Sequence, residues 1–221
     1  MSEPRERLTR LVELATQNAP ERRRGLAIEL CDLLLDWPAN YPPAMREPFE
    51  TLLEKTMRLI DRQTCAELIA RIAASDAAAP AFLNEFFFDA PADLRCTILA
   101  RNNDSTAQGD VRGIDEAALI DAARTSRRDR FTDTLAAALD MRVETAARIL
   151  NDASAEALAV AVKGAHLSRA AFSALALLAD AAGAPDEALT RLAAFDRVPQ
   201  TAAENLLRFW RGSAATRSRA A

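Results

Sequence analysis

Residues 143–172 read Val143-Glu144-Thr145-Ala146-Ala147-Arg148-Ile149-Leu150-Asn151-Asp152-Ala153-Ser154-Ala155-Glu156-Ala157-Leu158-Ala159-Val160-Ala161-Val162-Lys163-Gly164-Ala165-His166-Leu167-Ser168-Arg169-Ala170-Ala171-Phe172. Two helix-length blocks, Val143 to Asn151 and Ala155 to Val162, are parted by Asn151-Asp152 and closed by Gly164, and a third opens at Arg169. Ser154 and Ser168 stand where N-caps belong. Helices this short are marginal alone and must bury an apolar face against neighbours. The same grammar extends outward, to Asp115–Ala123 and Asp129–Leu139 before the stretch, and to Arg169–Ala182, Asp186–Ala194 and Thr201–Trp210 after it. Asp140, Gly183-Ala184-Pro185 and Val198-Pro199 are the separators. No signature residue recurs at a constant register, so the repetition lies in architecture and not in a consensus.

Upstream, the helical period continues in longer segments. Leu8, Leu11, Leu14 and Ala15 line one face of Pro4–Gln17. Pro20 opens a helix through Leu26, Ala27, Leu30, Leu33 and Leu34 to Trp37, where Pro38 stops it. A third helix carries Met45, Phe49, Leu52, Leu53, Leu59 and Ile60, and a fourth, from Arg62, carries Cys65, Leu68, Ile69 and Ile72. Two shorter ones, Pro80–Asp89 and Pro91–Arg101, precede a glycine-containing stretch around Gly109 and Gly113 with no apolar period. The expected organisation is an N-terminal helical region over 4–101, a loop over 102–114, a C-terminal helical-repeat region over 115–211 and a disordered tail over 212–221. The fold class is all-α, a multi-helical array of antiparallel helix pairs, either a HEAT-like α-solenoid or an irregular helical bundle.

Composition narrows the function classes. Half of the 221 residues are apolar, yet charges break the apolar runs well short of the ~20 residues a membrane span needs. The charged start, Met1-Ser2-Glu3-Pro4-Arg5-Glu6-Arg7, does not lead a secretory h-region, so a cytoplasmic location is expected. Cys31, Cys65 and Cys96 are widely spaced among apolar residues and read as buried reduced thiols. With 28 basic against 32 acidic residues, no strong field steers the chain toward nucleic acid or acidic lipid.

No catalytic, cofactor-binding or metal-binding constellation stands out. His166 is the single histidine and follows Lys163-Gly164 at a helix end, which suits a turn residue better than a phosphotransfer site. The acids are spread along solvated faces and caps. The Gly109 loop lacks the Gly-Lys-Ser/Thr ending of a phosphate loop. What remains are candidate partner contacts. Phe82-Leu83-Asn84-Glu85-Phe86-Phe87-Phe88 places three adjacent aromatics around one helix, so one ring of Phe86 and Phe88 can lie outside a single buried stripe. Arg127, Arg128 and Arg130, near Arg124, form a basic cluster, and Phe209 and Trp210 sit on a final helix with one neighbour fewer.

The stretch from Arg24 to Ile72, with Leu33-Leu34-Leu35, Arg46, Phe49-Glu50, Leu52-Leu53, Ile60-Asp61 and Leu68-Ile69-Ala70, resembles an uncharacterised helical family known mainly from alphaproteobacteria and catalogued as domain of unknown function 2336. Ala147-Arg148-Ile149-Leu150-Asn151-Asp152, then Glu156-Ala157-Leu158-Ala159-Val160-Ala161 and Leu167-Ser168-Arg169-Ala170-Ala171-Phe172, carry the same likeness. Its motifs are helix-packing patterns. The resemblance implies a helical, repeat-like fold and transfers no catalytic residue.

The expectation is thus a non-enzymatic helical-repeat protein that mediates protein–protein interaction, with a regulatory role among its expected uses, no cofactor, an unknown protein partner and no membrane contact. A homodimer through the C-terminal helix is one form of that expectation. The alternative, a nucleic-acid-binding helical array using Arg-rich faces, ranks below it.

Overall fold

The computed structural model describes Thr9, Leu11 and residues 19–75, 80–103, 113–125, 127–178 and 185–218. Among them the chain is all-α, with no strand. No described helix is long and apolar enough to cross a membrane. Of the first expected helix, only Thr9 and Leu11 are described, and both are helical. The chain divides into two compact units, Met1–Ile98 and Leu99–Ala221. That division falls inside a helix, ahead of the 102–114 stretch, of which residues 104–112 lie outside the described set.

The first unit begins with α1 (Pro20–Leu35), whose proline sits in the first turn where no N–H is missed. Leu26, Ala27, Leu30, Cys31, Leu33 and Leu34 are its buried face. A 3₁₀ turn (Pro43–Met45) leads into α2 (Arg46–Met57), which packs on α1. Helix α3 (Arg62–Ala73) is capped by Asp61, whose carboxylate accepts the Thr64 N–H at 2.9 Å. That hydrogen bond holds the Asp61 carboxyl below the usual carboxylate range.

Helix α4 is Pro80–Asn84 and no longer. The expected helix to Asp89 is replaced after Asn84 by a chain of tight turns, with Phe86 N–H bonded to Leu83 O and Asp89 N–H to Phe86 O. The reason is packing. Phe82, Phe86 and Phe87 are all buried, which a continuous helix face cannot achieve with adjacent rings. Helix α5 (Ala92–Asn103) follows and closes the unit with its first residues. The expectation of three buried thiols needs correction. Cys31 is buried and Cys65 half-buried, with burial pushing both thiols up to about 11, but Cys96 on α5 is exposed.

In the second unit come α6 (Glu116–Thr125), α7 (Arg128–Leu139), α8 (Val143–Leu150), α9 (Glu156–Gly164), α10 (Arg169–Leu178), α11 (Pro185–Leu192), α12 (Ala194–Arg197) and α13 (Gln200–Ser218). The expected single helix Asp186–Ala194 is two, because the chain turns at Ala193 and buries Ala194 completely. The tail expected from residue 212 is helical to Ser218.

Two turns share one construction. Helix α7 ends with Asp140 in the left-handed region at φ 55°, and α9 with His166 at φ 58°. Met141 N–H reaches Ala136 O and Leu167 N–H reaches Val162 O, each at 3.0 Å, while Asp140 and His166 bond to Ala137 O and Lys163 O. These are paired Schellman motifs with a buried apolar residue directly after the left-handed one. The start of α7 meets the end of α8 through Arg128, which donates to Leu150 O at 3.0 Å, so these two helices run antiparallel. The N-cap of α9 differs from expectation. Ala155, not Ser154, is the cap, held left-handed at φ 57°, while Ser154 Oγ accepts the Glu156 N–H and Asp152 accepts the Ala157 N–H.

At the centre of this unit lies α9, with Ala157 through Val162 each at most 2% exposed. A helix apolar all round can be stable only when covered on every side. Helix α13 provides the largest cover, burying Ala202, Ala203, Leu206, Leu207 and Trp210. Contact is closest at Gly164, where an added Cβ would lie 2.5 Å from the Ala203 carbonyl oxygen. Gly164→Ala must therefore push two backbones apart. It is expected to lower stability by about 1–3 kcal/mol in urea unfolding, whereas an unchanged midpoint would mean that the two helices do not approach this closely.

Candidate protein-binding surfaces

Helix α2 buries one face and leaves another uncovered. Leu53, Thr56 and Met57 turn into the unit, with Thr56 Oγ donating to Leu52 O at 2.7 Å and Glu54 ion-paired to Arg58. Met45, Leu52 and Leu59 are 40%, 36% and 60% exposed. Leu52 lies on α2 itself, Met45 in the 3₁₀ turn that leads into it and Leu59 in the turn that follows it. At the start of α2, Trp37 meets Tyr41 and Phe49 edge-on, with ring centroids 5.6 and 5.8 Å apart, and the Arg46 guanidinium lies 6.0 Å from the Trp37 ring. Arg46 also bonds Glu50 at 2.8 Å, which holds it over the ring.

The phenylalanine run sorts itself around a buried arginine. Arg95 is 8% exposed, its guanidinium lies 5.2 Å from the Phe87 ring, and it donates to Ala90 O and Phe88 O at 3.0 and 3.1 Å. It thereby satisfies the carbonyls that the broken helix leaves open. Phe86 is buried at 3% and packs edge-on to Phe82, at 5.2 Å. Phe88 is half-buried. Of these two candidate contacts, only Phe88 offers a ring surface to a partner.

On the second unit, Arg127, Arg128 and Arg130 are exposed, as is Arg124. Arg128 is committed to the fold, donating to Leu150 O and to Asn151 Oδ1 at 2.8 Å. Trp210 is buried at 3%, against the expectation of a partner contact, and Phe209 is half-buried. Arg211 donates to Leu139 O at 2.7 Å. His166 lies at the turn after α9, with Nε2 3.2 Å from Glu204 Oε1. Among the described residues no three His, Cys, Asp or Glu side chains converge as metal ligands.

A bacterial family model described as an uncharacterised protein conserved in bacteria, domain of unknown function 2336, matches residues 49–208. The chain belongs to this family. The match runs from Phe49 on α2 to Arg208 on α13, so the family 2336 segment contains the α9–α13 core and the exposed Leu52 and Leu59. Trp37, Tyr41 and Met45 precede it. No curated protein and no solved structure matches the chain.

The helical period assigns Leu52 and Leu59 to the buried positions of one helix, and so hides their exposure and the end of α2 at Met57. It also hides the burial of Arg95, which it assigns to solvent. In this family 2336 chain, Phe86→Asp is expected to cost several kcal/mol, on the order of 3–5, while Leu52→Asp stays within about 0.5 kcal/mol. Thermal or urea unfolding of both variants checks the pair. A large loss at Leu52 would place that side chain in the core.

Proposed function

We propose that this chain is a non-enzymatic protein of HEAT-like helical pairs that works in the cytoplasm by binding another protein, with α2 as a principal contact. The observation that supports this reading is the exposure of Met45, Leu52 and Leu59 on α2 and in the turns at its two ends, with an aromatic cluster that includes Phe49 of the same helix. Leaving large apolar side chains in water gains nothing for the monomer, and such exposure gathered around one helix marks an interaction surface. Trp37, Tyr41 and Phe49 supply the rigid aromatic surface that binding sites favour. A homodimer through the C-terminal helix would have to use Phe209, since Trp210 is already buried.

The test is affinity capture of the tagged chain from its own cell lysate, with and without nuclease, alongside Leu52→Asp/Leu59→Asp. A stoichiometric protein that survives nuclease and is lost from the folded double variant is the expected result. A partner retained by the variant removes α2 from the contact, and capture of nucleic acid alone favours the Arg-face alternative.

A further inference from the structure

Most arginines of the described chain are tied into the fold. Arg71 pairs with Asp32, Arg95 and Arg128 hold backbone carbonyls, Arg169 pairs with Asp196, and Arg211 holds Leu139 O. As at Arg22 and Arg62, the side chains of Arg124, Arg127 and Arg130 are not tied in. These three are exposed, and among the described residues none of their side chains forms a hydrogen bond or an ion pair. They lie at successive three-residue steps across the junction of α6 and α7.

Their position is also poor for the fold. Arg127 is the N-cap of α7 and gives no side-chain cap. Arg130 stands in the first turn of that helix. Both therefore place positive charge at the positive end of the helix dipole, where an acid or a hydroxyl would stabilise it. Asp129 in the same turn offsets part of this. A chain with net charge −4 thus keeps three unengaged guanidinium groups within seven consecutive residues, and two of them oppose the local helix.

We infer that Arg124, Arg127 and Arg130 form a docking surface for an acidic segment of a protein partner, with carboxylate side chains received by the guanidinium forks. The inference rests on the reading of this chain as a protein-binding array, but it uses other residues than those on and around α2. Guanidinium suits carboxylate because its donors can engage both oxygens at once. A peptide fits better than a nucleic acid. The cations cover one helix junction and do not continue as a track, and exposed Asp121, Asp129 and Asp133 interrupt the surroundings. A phosphodiester backbone needs a run of cations, whereas a peptide sets its charges only where they are wanted.

The experiment is fluorescence anisotropy of the full chain with two labelled probes, a short oligoglutamate peptide and a single-stranded oligonucleotide, at low and physiological salt. Wild type is compared with Arg124→Ser/Arg127→Ser/Arg130→Ser, and the thermal midpoint of each is recorded. Salt-sensitive peptide binding that weakens at least about tenfold in the variant, with a midpoint unchanged or raised by about 2–4 °C, is expected. A rise in stability together with a loss of binding is the opposite of what structural arginines would give. Absent peptide binding, equal binding by the variant, a lowered midpoint, or an oligonucleotide bound more tightly than the peptide through the same arginines would overturn the assignment. None of these results bears on capture through Leu52 and Leu59, which tests the broader reading separately.

Discussion

The contact between α9 and α13 governs the second unit. Nearly every side chain of α9 is apolar, from Ala157 to Val162, and none of them meets water. Small residues let the helices come close, with Gly164 against the Ala203 carbonyl and Ala202 and Ala203 both fully buried. At such separation many weak atom–atom contacts accumulate, and nothing larger can be inserted without moving a backbone. The surrounding helices are short and depend on the surface this pair provides.

Helix α13 also closes the ends of its neighbours. Gln200 donates to Lys163 O at 3.0 Å, Asn205 to Asn102 O at 2.7 Å and Arg211 to Leu139 O at 2.7 Å. Three helix C-termini, each with carbonyls that have no partner within their own helix, are satisfied from one element. Lys163 does the same for α12, bonding Phe195 O and Val198 O while lying 4.8 Å from the Phe195 ring. Helix α13 thus contributes both the apolar cover and the polar terminations.

Much of this was legible in the sequence. Separators such as Asn151-Asp152 and Gly164 part the helices as expected, and Pro20 and Pro80 each begin one, while Pro185, read as part of a separator, is the first residue of its helix. His166 is a helix-end residue, as its place after Gly164 suggested. The repeated turn was hidden because Asp140-Met141-Arg142 and His166-Leu167-Ser168 share a backbone course and an apolar second position but no residue type. Patterns report the face of a helix and not its depth, so the all-round burial of α9 and the exposure of Leu52 and Leu59 depended on contacts distant in the chain. The Arg cluster was legible as a cluster. Only the hydrogen bonds of Arg128 separate it from its unengaged neighbours.

If the α9–α13 contact is the support of the second unit, its amides should open last. Hydrogen–deuterium exchange followed by mass spectrometry measures this directly. Peptides covering residues 156–164 and 200–210 are predicted to exchange together and most slowly within the unit, through its global unfolding. Exchange of 156–164 that precedes that of α6 or α11 would contradict the account, because a helix held on every side cannot open before the helices that lean on it.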